Sequence, residues 1–120
     1  MSRDQLLMIS VFETVEEWRS AWEQGNLELY VQFYDDNAKQ GDRTGAEAIG
    51  RHKEGLWKKA RPEKILLQNV EISVTNDKAR AVMTQIYRDA KGKTDKGIKT
   101  LEFQLSGDMW FIVREDWRAR

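Results

Sequence analysis

The sequence predicts an α+β fold in which three N-terminal helices pack on a curved, mainly antiparallel sheet of four to five strands. Three observations predict it. Apolar residues recur at helical spacing as far as Ala60, they recur at every second position from Val70 onward, and the two patterns do not interleave.

In the first helix, Val11, Val15, Trp18 and Trp22 follow one another at steps of four, three and four, while Glu13, Glu16, Glu17, Arg19 and Glu23 take the remaining surface. The apolar cluster Leu6 to Ile9 leads into it. Gly25 is placed to end this helix in a left-handed conformation, and Asn26 to cap the next through its side-chain oxygen. The second helix carries Leu27, Tyr30, Val31 and Tyr34 on one face and stops near Asp35-Asp36-Asn37. A connector with a brief strand, Ala38 to Arg43, precedes Thr44-Gly45-Ala46-Glu47, which matches a capping box. The third helix then aligns Ala46, Ile49, Lys53, Leu56, Trp57 and Ala60, and Arg61-Pro62 ends it because the residue before proline disfavours the α region.

Strands follow. Val70, Ile72 and Val74 alternate up to the turn pair Asn76-Asp77. The next run places Ala79, Ala81, Met83, Gln85 and Tyr87 on one face, and after a polar loop, Asp89 to Lys96, a third run places Lys99, Leu101, Phe103 and Leu105 on one face. Ser106-Gly107-Asp108 turns the chain into Met109 to Trp117, where strict alternation sets Trp110, Ile112 and Arg114 against Met109, Phe111, Val113 and Glu115.

At 120 residues, 1–120 form a single domain with room for a real core. Net charge is zero, and the halves hold 8 basic and 11 acidic against 12 basic and 9 acidic side chains, too mild an asymmetry for nucleic acid or an anionic membrane as the main partner. The absence of cysteine excludes disulfides, thiolate metal sites and a Cys nucleophile. No apolar run reaches the roughly 20 residues of a membrane span, and the N-terminus lacks a signal-peptide core. The compartment stays open: periplasmic if the chain is cut from an exported precursor, otherwise cytoplasmic.

A twisted sheet roofed by helices makes a cone, with a cavity wherever large side chains do not fill it. Into it the second and third strands aim Gln85, Tyr87 and Lys99, beside Met83, Leu101 and Phe103. A charged lysine on an apolar face needs a partner. Either the ammonium, amide and phenol bind a carboxylate or carbonyl ligand, or Lys99 pairs with Glu115 or another acid. Arg114 joins this set if the last strand alternates strictly, and Trp22 and Tyr34 line the helical side. The lone His52 lies between Arg51 and Lys53, which repel a cation, so no metal or cofactor is expected. Arg88 to Lys99, rich in lysine and glycine, reads as a hairpin protected against edge pairing.

Trp18-Arg19-Ser20-Ala21-Trp22, Gly25-Asn26, Tyr30 and Phe33-Tyr34 resemble the opening of the nuclear transport factor 2-like superfamily, the cone fold shared with ketosteroid isomerases. With Gln85-Ile86-Tyr87, Lys99-Thr100-Leu101 and Trp110 to Glu115, the chain is most similar to the small domain appended to periplasmic L,D-transpeptidases and L,D-carboxypeptidases, over roughly residues 10 to 117. In those enzymes the nucleophilic cysteine belongs to another domain, so the resemblance implies a non-catalytic accessory or binding domain for a small polar ligand or a cell-wall peptide. A second reading is an isomerase, dehydratase or cyclase using Asp42, which stands where ketosteroid isomerase-like proteins place their base, or Tyr87. A third is a homodimer joined through Val82, Ile86, Ile98 and Phe111 or Val113 on the outer sheet face.

Overall fold

A computed structural model describes all residues, Met1–Arg120. Helix α1 (Arg3–Glu23) begins at a capping box, in which the Ser2 hydroxyl accepts from the Gln5 amide and the Gln5 side chain accepts from the Ser2 amide. It buries Val11, Val15, Trp18, Ala21 and Trp22, the face its spacing predicts. Gly25 follows at φ +66°, the left-handed conformation that reverses the chain, and the Asn26 side chain accepts from Leu29 N at 3.1 Å to start α2 (Leu27–Gln32).

Here expectation and structure part. α2 stops at Gln32, so Tyr34 leaves the helix and opens strand β1 (Tyr34–Gln40), followed by the short β2 (Arg43–Thr44). The alternation was hard to see because β1 buries a phenol, a small Ala38 and the polar Gln40 in place of branched aliphatics. The capping box also fails: Thr44 is held in β2, and the N-cap of α3 (Ala46–Lys59) is Gly45, which has no side chain to offer. Glu47 instead pairs with Arg51 at 2.7 Å.

Four long strands complete the chain, β3 (Pro62–Thr75), β4 (Lys78–Asp89), β5 (Thr94–Ser106) and β6 (Met109–Ala119). The sheet has six strands, not four to five, in the order β2-β1-β6-β5-β4-β3. All neighbours are antiparallel except β1 and β6, which run parallel.

Two bulges give the sheet its curvature. In β3, Asn69 at φ +53° sits at a register shift between Gln68 and Glu71, so Ile65 and Leu67 before it and Val70, Ile72 and Val74 after it all pack against the core. In β6 the register shifts between the Phe103–Ile112 and Glu102–Arg114 pairs, leaving Val113 as the extra residue. The core lies between α1 and the concave face, where Trp18, Tyr30, Ile49, Met83, Leu101, Phe103 and Ile112 are fully buried. Val82, Ile86, Ile98, Phe111 and Val113 are half-buried, alternating with the core-facing positions of their strands. No helix is long and apolar enough to cross a membrane.

Candidate functional site

A cavity of about 600 Å³ opens between α3 and the concave face of β4, β5 and β6. Its lower wall exists because of the bulge at Val113. Trp110 and Ile112 point inward as alternation requires, but the extra residue then turns Arg114 out to solvent and Glu115 in. Arg114 accordingly bonds Asp116 at 2.8 Å on the surface and does not line the cavity.

Glu115 is 3% exposed and forms an ion pair with the equally buried Lys99 on β5. Its other oxygen, Oε1, accepts from the Tyr34 hydroxyl at 2.5 Å and from Gln40 Nε2 at 3.0 Å. The Tyr34 oxygen accepts from Trp18 Nε1 at 2.9 Å and lies 2.7 Å from the Tyr30 hydroxyl. Arg43 Nε closes the network on Gln40 Oε1 at 3.0 Å. Burial pushes the Glu115 carboxyl up, but Lys99, Lys53 and the bonds from Gln40 and Lys99 outweigh it and hold the group at about 2. Burial and the neighbouring Glu115 charge push the Tyr30 and Tyr34 phenols well above their usual range, so both stay protonated donors.

Above this floor Trp22 stacks on Tyr87, ring centroids 5.4 Å apart and 17° from parallel. Lys53 descends from α3 to place its ammonium 4.5 Å from the Trp22 ring centre, with Lys99 at 5.2 Å from the same ring. Burial, then the Lys99 charge, lower the Lys53 amine to about 8, with Glu115 acting in the opposite direction. Two buried polar atoms have no partner, Trp22 Nε1 and Gln85 Oε1, and both residues line the cavity. Arg43, Trp57, Asp89, Asp95 and Trp117 complete the walls towards the mouth.

Of the residues singled out from sequence, Gln85, Tyr87, Lys99 and Trp22 therefore line one cavity. Tyr34 lies beneath it, bonded to Glu115. Asp42 is not brought to the site: its side chain is 98% exposed on the β1–β2 turn. Asp89 is buried, but its Oδ1 accepts from the amides of Lys91 and Lys93 at 2.9 and 3.0 Å and so closes the β4–β5 turn. Burial, then Arg43 and Lys53, lower the His52 imidazole, and no group of three or more His, Asp or Glu side chains is arranged to hold a metal. Sequence reasoning missed Lys53, Tyr30, Gln40 and Arg43. Lys53 left a usable signal, an ammonium on the same helical face as Ile49 and Trp57.

The family described as the Cds6 C-terminal NTF2-like domain matches residues 10–116. The structure of Bdellovibrio bacteriovorus Bd1075 is similar at 32% identity and a TM-score of 0.84, covering 92% of this chain; the chain spans 40% of that one. An NTF2-like protein of unknown function from Pseudomonas putida KT2440 is similar at 16% identity and a TM-score of 0.85, with 97% of this chain and 88% of that chain covered. A putative scytalone dehydratase from Novosphingobium aromaticivorans DSM 12444 matches all of this chain and 89% of its own at 16% identity, with a TM-score of 0.83. These last two likenesses show the fold alone. No curated protein matches the chain significantly.

Proposed function

We propose that this chain, which belongs to the family of Cds6 C-terminal NTF2-like domains, is a non-catalytic ligand-binding or accessory domain whose cone cavity accepts a small polar ligand or peptide. One observation carries the reading: the walls of an open cavity of about 600 Å³ include Trp22 and Gln85, whose Nε1 and Oε1 are buried with no protein partner. Each such atom costs roughly 1–3 kcal/mol, and a bound polar molecule recovers part of that cost. Gln85, Tyr87, Lys99 and Trp22 form the binding set, with Tyr34 supporting it from below.

The floor carboxylate, Glu115, is suited to holding the site together and not to proton transfer. A general base works best with a pKa near the operating pH, whereas Glu115 is held at about 2 and is bonded on both oxygens. An accessory role is supported by the 32% identity to Bd1075, whose matched region is 40% of a longer chain. A cell-wall peptide as ligand rests on the similarity to the small domain of L,D-transpeptidases.

Titration of the ¹⁵N-labelled protein with L-alanyl-γ-D-glutamate tests this. The expected result is saturable perturbation of signals from Trp22, Gln85 and their neighbours, with the peptide chemically unchanged. Cavity signals that ignore this peptide and a panel of neutral polar fragments alike, or conversion of the peptide, overturn the proposal.

A further inference from the structure

We infer that the cavity selects a monoanion, a carboxylate that also carries an N–H or O–H donor, and that Lys53, beside Trp22, is the group that holds the carboxylate. This rests on the binding role proposed above and specifies its ligand. Lys99 is the more obvious anion site, but it is already matched by Glu115, with which it forms a buried ion pair. That pair is neutral as a unit. Lys53 has no carboxylate partner within salt-bridge distance and accompanies the pair as an extra positive charge.

The unsatisfied atoms agree with this in sign. Trp22 Nε1 is a buried donor lacking an acceptor, and the Lys53 ammonium stands over the face of the same indole, 4.5 Å from its ring centre, so both donors belong to one corner of the cavity wall. Gln85 Oε1 is a buried acceptor lacking a donor. A ligand that matches these groups in sign brings a negative charge for Lys53 and a hydrogen-bond donor for Gln85, as an acylated amino acid or a hydroxy acid does. Burial first, then the Lys99 charge, lower the Lys53 amine to about 8 against the pull of Glu115, so an added negative charge beside it would restore part of what burial removes. The other charged side chains lining the cavity, Arg43, Lys59 and Lys93 against Asp89, Asp95 and Asp116, balance in number, so a carboxylate matches the one ammonium left over, while a dianion would bring a second charge in excess.

N-acetylglycine is the probe, with N-acetylglycinamide as its neutral twin and inorganic phosphate, a mixture of monoanion and dianion near neutral pH, as the more highly charged control, each titrated while the Trp22 indole N–H signal is followed by NMR. That signal is assigned with Trp22→Phe. N-acetylglycine is expected to shift the Trp22 indole signal saturably and to bind at least about tenfold more tightly than the amide or phosphate, a difference near 1.4 kcal/mol. Lys53→Met and Lys53→Gln should each remove that preference, and the two variants guard against a change in packing. Equal binding of acid and amide, tighter binding of phosphate, or an unchanged preference in both variants overturns the inference. In the equal-binding case the cavity remains a ligand site and the broader proposal stands, whereas silence towards every probe, neutral ones included, removes both.

Discussion

A carboxylate as buried as Glu115 would ordinarily hold its proton, yet it is ionised because Lys99 lies against it and Tyr34 and Gln40 donate to its other oxygen. Its folded pKa, about 2, is below the usual unfolded value of roughly 4.3. The stability this contributes is complete above that unfolded value and is lost as pH falls through about 2. Urea midpoints measured between pH 5 and pH 2 should therefore fall, and much of the decline should vanish in Glu115→Gln. At pH 7 the same substitution leaves Lys99 buried without its counter-charge and should cost about 3–5 kcal/mol. Lys53 has the opposite sign. Its amine is lowered in the fold, so folding works against its charge below about pH 8 and is relieved as pH rises towards the unfolded value. Lys53→Met should raise the melting temperature at pH 7, and the advantage should shrink at pH 10. A residue that lowers stability where it stands is consistent with retention for binding. At this scale the sequence was half legible: Gln85, Tyr87 and Lys99 share a face as strict alternation requires, but Glu115 and Arg114 exchange sides through one extra residue that leaves no compositional trace.

Bulges explain most of what was missed among the elements. Pattern reasoning found three helices and the four long strands because their apolar periods run over many residues, and it placed the Asn76-Asp77 and Ser106–Asp108 turns correctly. It placed a brief strand only within Ala38 to Arg43 and so lost the first half of β1, whose buried residues are a phenol, an alanine and an amide, and whose partner β6 is far away in the chain. The β5–β6 pairing contains its own test. A Cβ on Gly97 would lie 2.3 Å from the Arg118 carbonyl oxygen and 2.8 Å from the Trp117 ring. Gly97→Ala should thus destabilise by on the order of 2 kcal/mol, through displaced backbone at the end of β6. Fluorescence of Trp117, which pairs across from Lys99, should report the displacement, and an unchanged urea midpoint would show that the strand end yields freely.

Across the whole molecule, stability should be uneven. β4 and β5 are flanked by neighbours on both edges and hold the buried Ala81, Met83, Leu101 and Phe103. The first two turns of α1 instead present Leu6 and Ile9 to solvent at 55% and 44% exposure, and before the fully buried Val11 only Leu7 packs, in part, against the core. Hydrogen exchange should be slowest in β4 and β5 and fastest, among helical amides, in residues 6–10. Protection of those amides equal to that of β5 would contradict this gradient. The buried pair at the base of the cone has a wider meaning. Lys99 and Glu115 cancel one another, and Arg43, Lys59 and Lys93 balance Asp89, Asp95 and Asp116 around the cavity, so under the proposed binding role the residue at position 53, one turn beyond Ile49 on a helix surface, sets the sign of the hollow's preference. On that reading, exchange of this single side chain for an acidic or a neutral one would re-address the hollow to a cation or to an uncharged guest without rebuilding a strand, a route by which one architecture can acquire many clients.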